Sequence, residues 1–244
     1  TTEIGQGHPT MYRQVVSHLL GIDMGKIVIH EGDTDKIEQG NGTGGSRVSS
    51  LGTSAARIAS EHVLEKARQI AAHLLEVSLS DIEFKDGSFE IAGTDRSVSW
   101  NKVVSAAFSE DQLPEGMEAG LSVKAHFQST APNFPSGCHA CEVEVDMETG
   151  KVDIVRYVGV SDVGNVINPL LLNGQIYGGI GQGAGQVLME GILYDPETGQ
   201  MQTGSFLDYA MPRASDFCSF ELADNPTVTK VNPMGSKGAG EVGT

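Results

Sequence analysis

The 244-residue chain carries 16 basic and 32 acidic residues, a formal net charge of −16 at pH 7. This charge argues against nucleic acid or an anionic membrane surface as a partner. The length suffices for one large domain or two small ones, and no apolar run is long enough to span a bilayer. Three cysteines, Cys138, Cys141 and Cys218, are an odd set without a disulfide framework, so we expect a reducing, cytoplasmic setting.

The first predicted elements are a turn, a helix and a strand. The tight turn at residues 4–8 leads into Pro9, and the apolar spacing over residues 10–20 predicts a helix that Gly21 closes. The apolar run at residues 26–30 predicts a short buried strand. The chain begins in mid-pattern without Met, so we expect a fragment of a longer polypeptide or a processed one.

A glycine-dense loop at residues 40–46 precedes a long helical pattern from about 48 to 75. Main-chain N–H groups ahead of a helix N-terminus can bind an anion, while a plain linker explains the loop equally well. Alternation around an Asp-Gly pair predicts a hairpin over residues 82–91. A short helix is expected near residues 100–108.

The polar, acidic loop at residues 110–120 predicts a boundary between two lobes. The first lobe then covers residues 1 to about 115, and the second covers about 116–244. The second lobe is expected to open with a strand at residues 121–127.

Two further hairpins and a helix are predicted in the second lobe. One hairpin covers residues 139–160, and a similar turn at 195–199 joins two short strands. A helix-like segment runs from about 169 to 189. An interior glycine costs about 1 kcal/mol relative to Ala, which predicts compensating close contacts at the glycines of this segment. These are Gly174, Gly178, Gly181 and Gly185.

The C-x-x-C at Cys138 and Cys141 enters an alternating strand, where residues three apart point to opposite faces. That placement suits neither a thiol-redox pair nor a four-thiolate site, so both are interpreted as small packing residues. The seven histidines show no ligand spacing, and no metal ligand is predicted.

The last stretch, residues 237–244, sets one carboxylate, Glu241, among glycines that let the backbone approach a bound group. Shielding from water would raise the pKa of Glu241 and suit it to proton transfer, whereas a surface turn would leave it solvated. Three other places are rich in main-chain groups: residues 5–7, residues 43–46 and the Gln- and Gly-containing helix. Together the four suit a long, polar, phosphate-bearing cofactor.

Seven motifs in order give the chain a family resemblance. It is similar to the C-terminal, molybdopterin-binding portion of the large subunit in the xanthine dehydrogenase/aldehyde oxidase/carbon monoxide dehydrogenase family of molybdenum hydroxylases. The motifs are EIGQGH (3–8), GDTD (32–35), GTGGSR (42–47), DVG (162–164) with NP (168–169), GQIYGGIGQG (174–183), DYAMPR (208–213) and KGAGE (237–241).

The resemblance implies a molybdopterin cofactor carrying molybdenum, in bacterial members most often the cytosine dinucleotide. It also implies that Glu241 is the catalytic base beside the metal, while no residue of this chain ligates the metal. The implied cofactor-binding residues are Gly5, Gln6, Gly7, Thr43, Gly45, Ser46 and Gln175.

The implied reaction is hydroxylation of an aldehyde, an N-heterocycle or purine, or carbon monoxide, with water as the oxygen source. The implied partners are the N-terminal half of the molybdenum subunit and subunits or domains that carry 2Fe-2S clusters and FAD, groups not expected on this chain. The expected fold is α+β, two-lobed, with mixed or antiparallel sheets and packed helices. The alternative is a non-catalytic module of the same fold that binds no cofactor alone; either way the isolated chain is expected to be inactive.

Overall fold

The computed structural model describes residues 1–241, so Val242, Gly243 and Thr244 of the terminal motif lie outside it. The chain divides into two compact units. Unit 1 comprises Thr1–Gly42, Leu51–Thr130 and Asn232–Met234, and unit 2 comprises Thr43–Ser50, Ala131–Val231 and the segment from Gly235 onward. The lobe boundary expected near residue 115 lies inside unit 1.

Unit 1 packs helices against a three-stranded antiparallel sheet. Its helices are α1 (His8–Leu20), α2 (Thr53–Leu75) and α3 (Trp100–Ala107). A π-helix, Val48–Gly52, directly precedes α2, and its first three residues belong to unit 2. Its strands are β1 (Ile82–Lys85), β2 (Ser88–Ile91) and β3 (Ser97–Ser99), in that spatial order. Short 3₁₀ turns occur at Met24–Lys26, Leu79–Asp81 and Glu110–Gln112.

Local sequence signals account for these elements. The β1–β2 hairpin turns at Asp86 and Gly87, whose φ angles of 49° and 76° are those of the two-residue turn that Asp-Gly favours. Helix α1 ends at Gly21, which adopts φ 63° and donates its N–H to the carbonyl of Ser17. The predicted first helix, long helix, hairpin and α3 are therefore confirmed.

The core of unit 1 is built around Phe89 on β2, which is fully buried. Its ring centroid lies 4.9 Å from that of Phe84 and 5.3 Å from that of Trp100. Ile70 of α2 and Val103 of α3 are also fully buried in this core. The helices and the sheet thus share one apolar layer.

Replacement of Phe89 by Ala should lower the free energy of unfolding of unit 1 by about 3–5 kcal/mol, because it removes a buried ring and leaves a cavity. Trp100, the single tryptophan of the chain, lies against that ring, so its fluorescence during urea unfolding reports on this unit. Phe108→Ala is the matched control, since Phe108 is 70% exposed. Equal destabilisation by the two substitutions would contradict this description of the core.

Unit 2 contains a mixed sheet and one long helix. Strands β4 (Ser136–Val145) and β5 (Val152–Asp162) pair antiparallel, and β6 (Phe220–Asp224) pairs parallel to β5. Helix α4 runs over Pro169–Leu188, and Asn168 caps it by accepting the N–H of Leu171 at 3.0 Å. The predicted second-lobe hairpin and helix are confirmed, and so is the α+β fold with mixed and antiparallel sheets.

Two predicted strands are wrong. Residues 26–30 form the end of a 3₁₀ turn followed by unpaired chain, with Val28 70% exposed. Residues 121–127 alternate between half-buried and exposed, as the sequence pattern predicts, but pair with no strand in the part of the chain described. The turn at 195–199 closes a single bridge, Tyr194 with Met201, rather than two strands.

Two expectations about packing are also corrected. Cys138 and Cys141 are exposed free thiols on β4, so neither packs in the interior of this chain. In α4, a Cβ added at Gly185 would lie 2.5 Å from the Glu190 carboxylate and 2.9 Å from the Pro212 ring, which gives the expected close contact. A Cβ added at Gly174, Gly178 or Gly181 would lie in open space. No helix of the described chain is both long and apolar enough to cross a membrane.

Candidate functional site

The glycine-dense loop of unit 2 has an unusual backbone. Gly45 and Ser46 are consecutive residues with φ angles of 56° and 51°. A left-handed conformation is easy for glycine but costs about 1–3 kcal/mol at a residue such as serine, so it persists only where the surroundings hold it. At Ser46, the neighbouring groups are the last described residues of the chain.

Ser46 fastens the terminal segment to this loop. Its Oγ accepts the N–H groups of Ala239 and Gly240, each at 3.0 Å. A Cβ added at Gly238 would lie 3.3 Å from Ser46 Cβ and Oγ, and one at Gly240 would lie 3.3 Å from Oγ. The glycines therefore permit a close approach, and the structure brings Ser46 to the stretch that carries Glu241.

A second set of contacts anchors the segment that leads to Glu241. Lys237 donates its Nζ to Asp162 Oδ2 at 2.7 Å and its main-chain N–H to the carbonyl of Val163 at 2.7 Å. Ser236 donates its hydroxyl to the carbonyl of Ser49 at 2.8 Å. The terminal segment is thus tied both to the end of β5 and to the residues that follow Ser46.

Asp162 is the charged centre of this anchor. The Lys237 ammonium and the N–H of Thr227 hold the pKa of Asp162 well below its ordinary value, burial opposes the shift, and the N–H of Gly164 adds to it. Both side chains are largely buried, with 17% of Asp162 and 12% of Lys237 exposed. Since each charge has a partner, the pair can remain ionised there. Asp162 belongs to the DVG motif and Lys237 to the KGAGE motif, and neither was among the predicted site residues.

Glu241 follows Gly240 in a turn and is exposed. The described residues of this chain do not supply the shielding from water that was expected for it. Gly240, which precedes it, has no side chain that could cover it.

The remaining predicted residues are divided between the two units. Gln175 is half-buried in the second turn of α4, in unit 2. In unit 1, Gln6 accepts the N–H of Ile4 through Oε1 at 3.2 Å. Gly5 and Gly7 adopt φ angles of 107° and 81°, and both donate their N–H groups to the carboxylate of Glu3. Thr43 is half-buried and Gly45 exposed in the glycine-dense loop of unit 2.

Comparison with known proteins shows which family this chain belongs to. A family model described as the molybdopterin cofactor-binding domain matches residues 1–218. Subunit gamma of the 6-hydroxypseudooxynicotine dehydrogenase complex from Paenarthrobacter nicotinovorans is 37% identical over 243 residues, which are 99% of this chain and 30% of that protein. The carbon monoxide dehydrogenase large chain of Afipia carboxidovorans is 33% identical over 241 residues, again 99% and 30% of the two chains.

A solved structure gives the same result for the fold. Quinoline 2-oxidoreductase from Pseudomonas putida 86 superimposes with a TM-score of 0.90 at 34% identity, over 98% of this chain and 30% of that one. The chain therefore spans about 30% of the length of these relatives. The family resemblance that the motifs indicate is confirmed, and the chain belongs to the molybdopterin cofactor-binding domain family of the molybdenum hydroxylases.

Proposed function

We propose that this chain is part of the molybdopterin-binding subunit of an oxidoreductase that hydroxylates an electrophilic carbon, with water as the oxygen source. Among aldehydes, N-heterocycles including purines, and carbon monoxide, we favour an N-heterocycle, because quinoline, in the name of one relative, is such a ring. The observation that supports the proposal is the pair of hydrogen bonds from Ala239 and Gly240 to Ser46, because Glu241, the proposed base, directly follows Gly240 and Ser46 belongs to the proposed cofactor loop.

The donor groups of the chain fit a phosphate-bearing pterin. A serine hydroxyl has two acceptor lone pairs and one donor proton; in Ser46 two N–H groups occupy the acceptor side, so the O–H can donate to a phosphate oxygen. A Cβ at Gly45 would meet open space, so a ligand can approach its backbone. The amide oxygen of Gln6 is engaged by Ile4, and its nitrogen carries two N–H donors.

The residues proposed to hold the cofactor therefore keep their assignments, with Thr43 beside Ser46, Gln175 on α4, and Gly5 and Gly7 on either side of Gln6. When bound, the molybdenum–pterin group supplies the two-electron oxidation of the substrate carbon. Glu241 acts as the general base that takes the proton of the oxygen nucleophile, a role that typically contributes about 10²–10⁴-fold. Ser46 and the Asp162–Lys237 pair hold the segment that presents this base.

We also infer that the chain works with partner domains and subunits. The chain is about 30% as long as its relatives, so we infer that the N-terminal half of the molybdenum subunit completes the site and covers Glu241. Electrons leave through subunits or domains that carry 2Fe-2S clusters and FAD, in a cytoplasmic complex. The cytosine dinucleotide is the proposed cofactor form. The isolated chain is inactive and holds no cofactor, because a ligand that spans two half-sites loses much of its contact area when one is missing.

The test is an assay of the complete complex with an artificial electron acceptor. Quinoline, a purine, an aldehyde and carbon monoxide are compared in water enriched in ¹⁸O. We expect turnover of the N-heterocycles and ¹⁸O in their products. Oxidation of none of the four, or product oxygen derived from O₂, would overturn the proposal; preferred oxidation of carbon monoxide or the aldehyde would overturn only the substrate class. A complex that contains neither molybdenum nor pterin would favour the non-catalytic module.

Gln175→Ala should lower the molybdenum content of the complex when cofactor is limiting. Loss of one amide contact is worth about 1 kcal/mol, or about fivefold in cofactor affinity. The matched control is Gln186→Ala, an exposed glutamine on the same helix, which should leave molybdenum content unchanged. Metal analysis of the purified variants makes the comparison. Equal molybdenum content in the Gln175 variant and the wild type would remove Gln175 from the site.

A further inference from the structure

A buried histidine of unit 1 lies between two carboxylates that the proposed function does not use. Glu3, His8 and Glu31 form this cluster, and one ligand atom from each lies within 4.8 Å of the others. His8 Nδ1 is 3.8 Å from Glu3 Oε2 and 3.5 Å from Glu31 Oε1. The side chains of His8 and Glu31 are only 5% and 8% exposed.

Two potential ligand atoms of the cluster make no hydrogen bond. Among the described residues, His8 Nδ1 and Glu31 Oε2 are buried and have no hydrogen-bond partner. Such atoms are rare in folded proteins, because burial removes water without replacing it. The 3.5 Å between His8 Nδ1 and Glu31 Oε1 also exceeds the 2.7–2.9 Å typical of a charged N–H donor on a carboxylate. A hydrogen bond between His8 and Glu31 therefore does not account for the distance between them.

We propose that Glu3, His8 and Glu31 bind a divalent first-row metal ion, with Zn²⁺ the fitting species. Zinc takes imidazole nitrogen and carboxylate oxygen at about 2.0–2.2 Å, which sets tetrahedral ligand atoms about 3.3–3.6 Å apart. The two measured separations lie at or just beyond this spacing. Mg²⁺ and Ca²⁺ prefer oxygen ligands alone, so the imidazole selects against them.

Neighbouring groups orient the ligands. The carboxylate of Glu3 accepts the main-chain N–H groups of Gly5, Gly7 and His8. Thr1 donates its hydroxyl to Glu31 Oε1 and so orients that carboxylate, whose Oε2 has no hydrogen-bond partner among the described residues. Hydrogen bonds of this kind hold metal ligands in a fixed orientation.

The cluster lies immediately before α1, which begins at His8. A bound ion would join residues 3 and 8 to residue 31 and fix the turn that carries Gln6. Zinc binding in the cluster is a property of unit 1 and does not depend on molybdopterin, so it can be tested separately.

The experiment uses the complete complex, stripped with a chelator and titrated with ZnCl₂, with bound zinc measured by mass spectrometry. Wild type and His18→Gln should each retain one equivalent per chain; His18 is exposed on the same helix. His8→Gln and Glu31→Gln should bind zinc at least about tenfold more weakly. Zinc retention equal in all four proteins, or no retention by wild type, would overturn the proposal.

A second measurement needs no variant. Anomalous diffraction from wild-type crystals soaked in ZnCl₂, at the zinc absorption edge, should show a peak about 2.1 Å from His8 Nδ1. A map without that peak would overturn the proposal even if the variants fail to fold. Molybdenum content and turnover are measured in the same samples, so failure of the zinc site is distinguishable from failure of the proposed function.

Discussion

Glu241→Gln should reduce turnover by about 10²–10⁴-fold and leave the molybdenum content near that of wild type. The amide keeps the shape of the side chain but cannot take a proton, so catalysis is lost while binding is retained. Glu241 is the only carboxylate in the KGAGE motif, and it directly follows the glycine that Ser46 holds. The measurements are steady-state turnover with the substrate and metal analysis of the same preparation.

Two further variants define the outcome for Glu241. Glu197→Gln changes an exposed glutamate of the same unit and should leave turnover unchanged. Glu241→Asp keeps a base but withdraws it by one methylene, so its turnover should lie between that of wild type and that of the glutamine variant. Wild-type turnover in Glu241→Gln would rule out the assigned role. Loss of molybdenum in parallel with turnover would instead make Glu241 a cofactor-binding residue.

Asp162→Asn should destabilise unit 2 and lower turnover, since it leaves the ammonium of Lys237 without its anion. The contact is 2.7 Å long and largely buried, and hydrogen bonds between charged groups are worth about 1.5–3 kcal/mol. Turnover should fall because the segment that leads to Glu241 loses an anchor, so Glu241 is positioned less well. The pH dependence of kcat should therefore keep its shape while kcat falls.

A double-mutant cycle of Asp162→Asn with Lys237→Met separates this pair from general damage, because two side chains that interact give non-additive effects. The matched control is the cycle for Arg156 and Glu221, an ion pair of the same unit with both side chains 60% exposed. We expect clear coupling for the first pair and much weaker coupling for the second. Additive effects at Asp162 and Lys237 would contradict the anchoring role.

The pH dependence of stability tests the same pair. The pKa of Asp162 in the folded protein is depressed from its ordinary 3.8, so the ion pair stabilises the fold above about pH 4 and loses this contribution as the pH falls further. The difference in unfolding free energy between wild type and Asp162→Asn should therefore be large at pH 6 and smaller at pH 2.5. If the difference stayed constant or grew on acidification, the stabilisation would not come from the ionised carboxylate of Asp162.

The sequence predicted best the elements whose cause is local. The Asp86-Gly87 turn, the apolar spacing of α2 and the long β4–β5 hairpin each depend on neighbouring residues, and each is present. Residues 121–127 show the limit of such patterns. Their alternation is realised in burial, but a strand also needs a hydrogen-bonded neighbour, and sequence periodicity does not supply one.

The site shows the same division. The bond from Gly240 to Ser46 joins residues 194 positions apart, and no spacing rule predicts it. The family resemblance supplied the assignments of Ser46 and Glu241. The Asp162–Lys237 ion pair, which anchors the segment that leads to Glu241, became visible only in the structure. The cluster around His8 was missed because its two carboxylates lie at positions 3 and 31, which is no recognised ligand spacing.

The central claim is that this chain contributes one part of a molybdopterin site. The most direct test is the molybdenum and pterin content of the purified complete complex, measured together with its turnover. The proposed function predicts one molybdenum and one pterin per copy of this chain, with turnover proportional to both. An active complex without either would contradict it.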